Sequence, residues 1–261
     1  VLTLALALVI GVALGLLGGG GSILTVPVFT YITGLDPKVA IASSLPVIAV
    51  TSSVGAIGHW RAGHVQPRTA LLFGAFAMAG GFSGARLAGL LSGRTQLVLF
   101  ALIMLGAAVA MLRGGGPTPT AGTAGLAPGK LVPLGLGVGV LTGLVGVGGG
   151  FLIVPALTQL GGLPMHRAVG TSLAVIAMNS LAGTLGYLGQ VPLPLDLLVP
   201  FTGLAVVGIL IGARTATRVP QTVLRRAFGV LLLVVGLFIL GQQRIADPGT
   251  PGAATTPITE G

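Results

Sequence analysis

Two stretches decide the fold: GLLGGGGSILTVP at Gly15–Pro27 and GLVGVGGGFLIVP at Gly143–Pro155. They are the centres of one longer repeat. Gly11 through Gly58 aligns without a gap on Gly139 through Gly186, with about 22 of 48 positions identical at a constant offset of 128 residues. An internal repeat set in near-continuous apolar sequence is how a transporter built by duplication reads. The glycine break in each copy is the first place to expect a ligand.

The physical reason lies in the glycines themselves. Each costs about 1 kcal/mol relative to alanine inside a helix, so four in a row should break one. In a bilayer the freed N–H and C=O groups must find partners or face a polar cavity. The segment after the break starts with unpaired N–H groups and the positive end of a helix dipole, which together suit an anion. Gly18, Gly19, Gly20 and Gly21 with Ser22, and Gly146, Gly148, Gly149 and Gly150, are therefore candidate substrate-binding residues, expected to meet near the midplane. The spaced glycines Gly11 and Gly15, and Gly135, Gly139 and Gly143, read instead as close helix-packing faces. No lysine follows the runs as a nucleotide phosphate loop requires, and no strand precedes them.

Composition confines the chain to the membrane. Of 261 residues 53% are hydrophobic and 7% charged, with mean hydropathy +1.05; a soluble domain carries about 25% charged residues. Apolar runs recur from end to end without the alternation of barrel strands, so the expectation is an all-α integral membrane protein. Net charge is +9 because only Asp36, Asp196, Asp247 and Glu260 are acidic. The basic residues fall singly at segment ends, as topology signals do, and form no stripe for a nucleic acid. Absence of cysteine excludes disulfides and thiolate metal sites. The first apolar run is not expected to be a cleaved signal peptide, since its copy recurs in mid-chain.

Apolar segments fall near 1–17, 22–34, 39–60, 69–91 and 95–113, then 131–147, 151–162, 168–189, 196–217 and 222–241. The organisation expected is a first transmembrane repeat (1–113), a Gly/Pro/Thr linker (114–129), a second repeat (130–241) and a polar, disordered tail (242–261). Each repeat has four to five helical segments, and its first element is glycine-broken or re-entrant. That gives about eight crossings, or ten helical segments if the broken pieces count separately. One broken crossing per half makes the repeats parallel; a re-entrant hairpin or two thin crossings makes them inverted. Lys and Arg balance leans to inverted, with about nine on one side and four on the other.

Polar residues inside the apolar segments come next. Ser43, Ser44, Thr51 and Ser52 are matched by Thr171, Ser172, Asn179 and Ser180. Residues 44, 51 and 52 lie two helical turns apart, so one face carries hydroxyls that could hold an oxyanion without fixed charge. Such hydroxyls also bond back to their own helix carbonyls, which needs no ligand. Ser43, Ser44, Ser52, Thr171, Ser172 and Asn179 join the candidate list. Arg86 and Arg214, equivalent in the two GAR motifs, are either snorkelling anchors or substrate contacts. His59, His64 and His166 are not spaced as a metal set; His59 reads as a proton carrier or as a satisfied interfacial residue. No apolar segment holds an interior carboxylate, so the usual proton relay of a pump is missing. Gly81-Phe82-Ser83-Gly84 imitates an intramembrane serine protease motif but brings no histidine base with it. No enzyme and no cofactor are expected.

The twin glycine–Val-Pro motifs, AIASSL (Ala40–Leu45) and AVGTSL (Ala168–Leu173), and the GAR before each half's last helix resemble the TauE/SafE sulfite exporter family of membrane permeases. The resemblance covers nearly the whole chain outside linker and tail. It implies a multi-pass permease of the plasma membrane moving sulfite or a related organosulfur anion, with the glycine runs and the pairs at 43–44 and 171–172 matching the shared pattern. Pro46 faces Ala174 in the second copy, so the halves differ there. The expected partners are a small anion and the lipid bilayer, not nucleic acid; transporter or anion channel, and assembly as a homo-oligomer, stay open.

Overall fold

A computed structural model describes residues 2–113, 128–145, 150–160, 162–216 and 218–245. The described residues are helical, without a strand. Ten α-helices occur among them: α1 (Leu2–Leu17), α2 (Gly20–Pro27), α3 (Pro37–Arg61), α4 (Pro67–Leu87), α5 (Gly93–Arg113), α6 (Pro128–Val145), α7 (Gly150–Pro155), α8 (Met165–Tyr187), α9 (Leu195–Ala216) and α10 (Gln221–Ile245). Six are long and apolar enough to cross a bilayer: α3, α4 with its 3₁₀ extension to Leu90, α5, α8, α9 and α10. Three further apolar helices are shorter, Leu2–Leu17, Ser22–Ile32 and Val132–Val145. The expected linker lies outside the described residues except Pro128 and Gly129, which open α6. The expected tail does too, except that residues 242–245 continue α10.

Local sequence explains the segment ends. Asp36 caps α3 by accepting the Lys38 amide at 2.9 Å, with Pro37 in the first turn where no N–H is needed. Pro67 opens α4 in the same way. Pro27 and Pro155 have the reverse effect, because a proline late in a helix cannot donate and crowds the preceding turn. Both α2 and α7 widen after it into a π-turn, Val28–Ile32 and Ala156–Leu160.

The first two helices of the first repeat form a hairpin. Val28 and Phe29, beyond α2, share a buried cluster with Ala7 and Ile10 of α1, so the chain doubles back along α1 after the glycines. The long helices then interlock between repeats. Gly11 and Gly15 of α1 bring its backbone onto Ala205, Ile209 and Gly212 of α9. Gly139 and Gly143 of α6 repeat that contact on Ala77 and Gly81 of α4. Both pairs run parallel, and each joins the first helix of one repeat to the fourth helix of the other. The third helices, α3 and α8, run antiparallel: Gly55 meets Leu173 and Gly183 meets Leu45. A large buried cluster joins α2, α3 and α7 to the α5–α10 pair through Ile23, Val26, Leu45, Phe100, Val154 and Phe228.

Candidate functional site

The glycine break is where α1, α2, α7 and α8 converge. Gly18 has φ +72°, the left-handed conformation that stops α1 and that a side chain rarely adopts. A Cβ there would stand 2.8 Å from Ser172 Oγ, 3.1 Å from Val169 Cα and 3.3 Å from Val154 Cγ2. The break of the first repeat is thus seated on α7 and α8 of the second. It does not lie at the middle of α8. Val169 and Ser172 are in its first two turns, about 6–10 Å from its start at 1.5 Å per residue.

Beyond Gly18, Gly19 is the N-cap of α2 and makes no side-chain cap bond. A helix start leaves up to four N–H groups without helical partners. Ser22 Oγ turns back to the Gly19 carbonyl at 2.6 Å rather than capping an amide. Gly20 and Gly21 form the first turn. The helix is buried, with Ser22 fully enclosed and Thr25 nearly so, and Thr25 Oγ1 has no hydrogen-bond partner within the protein. In the second repeat Gly146, Gly148 and Gly149 lie outside the described residues, and Gly150 begins α7.

Hydroxyls of α3 and α8 divide into two sets. Ser44 Oγ donates to Ile41 O at 2.7 Å and Ser172 Oγ to Val169 O at 2.8 Å, equivalent bonds in the two repeats. Thr51 bonds Val47 O at 2.7 Å. Thr171 Oγ1 accepts the Gln66 amide at 3.0 Å and so fastens the start of α4 to α8. Asn179 Nδ2 donates to Thr142 Oγ1 at 2.8 Å, tying α8 to α6, while its Oδ1 faces Gly81. By contrast, Ser43, Ser52 and Ser180 are fully buried with hydroxyls that meet no partner in the protein.

Arg86 and Arg214 stand apart from this region. Both are exposed in the last turns of α4 and α9. Arg86 lies 5.4 Å over the Phe82 ring. Arg214 donates to Leu210 O at 3.4 Å and shares a surface cleft with Arg61. Ser83 of the protease-like motif is exposed and bonded to Ala79 O at 2.9 Å. No group of three metal-ligating side chains occurs among the described residues.

A cluster invisible to spacing lies above the break. The His59 and His64 rings are 6.0 Å apart, and His64 and His166 5.9 Å. His59 Nε2 is 3.3 Å from the Gly15 carbonyl. Burial, then His166 and Arg167, hold the His64 imidazole below its ordinary value of 6.5. The signal available in the sequence was the repeat offset, which puts polar His59 and Tyr187 at one equivalent position near helix ends.

A buried helix break in a bundle of bilayer-length apolar helices agrees with the relatives of this sequence. The sulfite exporter TauE/SafE family model covers residues 3–239. The chain belongs to this family. A probable membrane transporter protein of Xylella fastidiosa is 33% identical over 240 residues, covering 90% of this chain and 92% of that protein. The probable membrane transporter protein YdhB of Bacillus subtilis is 29% identical, covering 88% and 96%. A further probable membrane transporter protein, from Methanocaldococcus jannaschii, is 26% identical over 92% of this chain and 96% of its own length. No solved structure matches. The family's members are membrane transporters, and this chain is a multi-pass membrane protein of that family.

Proposed function

We propose that this protein is a secondary transporter carrying a small anion, sulfite or an organosulfur anion, across the plasma membrane, with its binding site at the glycine breaks between two inverted repeats. The observation that carries this is the start of α2. An uncapped helix N-terminus inside a bundle of bilayer-length helices presents N–H donors and a positive dipole end, with no carboxylate near it among the described residues. Gly18–Gly21 and Ser22 supply the cradle, and the repeat offset assigns the same part to Gly146, Gly148, Gly149 and Gly150 by sequence alone. Ser43, Ser52 and Thr25 carry buried hydroxyls free to donate, and Ser172 packs directly on Gly18. Neutral donors suit an oxyanion that must also be released.

Support for inversion comes from helix directions: α3 and its counterpart α8 are antiparallel, and the first repeat's hairpin followed by three long helices returns the chain to the opposite end. Arg61, Arg68, Arg113, Lys130, Arg167, Arg214, Arg218, Arg225 and Arg226 then share one end, and Lys38, Arg86, Arg94 and Arg244 the other. Positive-inside bias makes the first end cytoplasmic. The interlocked pairs α1–α9 and α4–α6, each built of one helix from either repeat, would move as bodies about the α3–α8 contact, giving the alternating access a transporter needs.

The test is uptake of labelled sulfite into proteoliposomes holding wild type or Gly20→Leu, with sulfate, sulfoacetate and taurine as competitors. Saturable uptake lost in the variant is the expected result, and competition ranks the anions. Flux that rises linearly without saturation would make the protein a channel. Flux equal to empty liposomes for every anion would overturn the reading.

A further inference from the structure

Positions 59 and 187 are the same place in the two repeats, 128 residues apart, and they make equivalent bonds with different chemistry. His59 Nε2 lies 3.3 Å from the Gly15 carbonyl. The Tyr187 hydroxyl donates to the carbonyls of Gly143, equivalent to Gly15, at 3.4 Å and Leu144 at 3.3 Å. Each bond ties the C-terminal end of a long helix, α3 or α8, to the last turn of the helix that precedes a glycine break. Because α3 and α8 are antiparallel, the two ties sit at opposite ends of the bundle.

Their surroundings differ in one respect. Tyr187 is braced by Gln96, whose Nε2 is 3.3 Å from the hydroxyl and also donates to Leu144 O at 3.0 Å. No histidine stands there, since all three belong to the other end. His59 instead begins a row of three imidazoles that passes through His64 to His166, and His166 Nε2 is 3.1 Å from Val219 O in the α9–α10 connection. His59 is 2% exposed, and neither its Nδ1 nor that of His64 has a partner within the protein. The charged groups at this end are all cationic: Arg61 on α3, Arg68 on α4, Arg113 on α5, Lys130 on α6, Arg167 on α8, Arg214 on α9, Arg218 beyond it, and Arg225 and Arg226 on α10; α1 contributes none. Asp36 and Asp196 open α3 and α9 at the opposite end. Among the described residues no carboxylate faces the row.

We propose that the His59–His64–His166 row is a proton-binding latch on one end of the break, closed when His59 is neutral and released by proton uptake, while the Tyr187 latch at the other end is indifferent to pH. Neutral His59 protonated on Nε2 makes the tie to Gly15. A second proton on Nδ1 is a buried N–H with no acceptor in the protein, facing imidazoles. Relief requires hydration of the ring, and that requires the end of α3 to part from α1. His64 acts in the same direction. Its proton affinity is depressed in the closed arrangement, so closure is unpenalised above about pH 6.5 and loses stability as pH falls below that value. Acid therefore opens this end alone. Resting on the transport reading above, the proton becomes the candidate coupling ion for anion movement.

Hydrogen exchange on the full chain in nanodiscs at pH 7.5 and 5.5, corrected for intrinsic rates, reads the latch without needing a substrate. The expected result is about tenfold faster exchange over residues 14–22 at pH 5.5, with less than about twofold change over 139–145. His59→Tyr, which copies the other repeat, and His59→Gln, which keeps a neutral donor, should each reduce the step to under about twofold. A wild type without the step, or a His59→Tyr protein that keeps it, overturns the proposal. Sulfite flux under acid pulses separates the two readings. Flux absent with the exchange step intact sinks transport and leaves the latch, whereas flux present with no exchange step does the opposite.

Discussion

Replacing Gly18 and Gly34 by alanine separates what backbone conformation costs from what the seat of the break costs. Both glycines have nearly the same positive φ, 72° and 73°. Placing an L-residue there costs about 1–2 kcal/mol whatever its surroundings. Around Gly34 a Cβ meets nothing within 4 Å, so Gly34→Ala should cost that amount and no more. Around Gly18 the same Cβ arrives 2.8 Å from Ser172 Oγ and 3.1 Å from the Val169 backbone. Overpacking of this kind adds about 1–3 kcal/mol, giving about 2–5 kcal/mol in all. Ser172→Ala removes the nearest atom, with the loss of one hydrogen bond to Val169 O worth about 0.5–1.5 kcal/mol. Combining Gly18→Ala with Ser172→Ala should then be less harmful than the sum of the two by about 1 kcal/mol. Denaturant unfolding in mixed micelles, followed by far-ultraviolet circular dichroism, measures all four proteins. Equal losses for Gly18→Ala and Gly34→Ala, with zero coupling to Ser172, would show that the break does not rest on the second repeat.

Two further outcomes follow from the glycine contacts of α6 and the Thr171 hydrogen bond. Gly139→Ala should destabilise by about 1–3 kcal/mol because its Cβ lands on the Ala77 backbone, whereas Gly137→Ala, which meets nothing, should be neutral or stabilising by up to about 1 kcal/mol; unfolding midpoints in one detergent compare them. Thr171→Val should cost about 1–3 kcal/mol by stranding the Gln66 amide, Thr171→Ser should cost under about 1 kcal/mol, and exchange protection at the Gln66 amide should vanish only in the first.

The parts legible in the sequence were those written along one helix. Four glycines break α1 wherever the rest of the chain goes, and Gly11 and Gly15 announce a face on which another backbone can lie. The partner of that face was not legible. Spacing on α1 says how close a neighbour may come, and nothing in it says that the neighbour is α9 of the other repeat. Hydroxyls were legible only as a choice. Ser44 and Ser172 bond back to their own helices while Ser43 and Ser52 do not, and side-chain rotamers decide that, not residue type. Arg86 and Arg214 read as anchor or contact, and both stand exposed at helix ends.

The histidine row shows where the repeat itself carries more information than any motif. His59 and His166 are 107 positions apart and look unrelated until α8 is set antiparallel on α3, which brings the start of one helix to the end of the other. Duplication gives both breaks the same tie to the same carbonyl. One tie is an imidazole beside two others, and the other is a phenol braced by an amide. A transporter with two chemically identical gates has no reason to distinguish its two sides. Substituting a titratable group into one of two equivalent bonds is enough to make the sides unequal, because protonation then biases only the state in which that end is open.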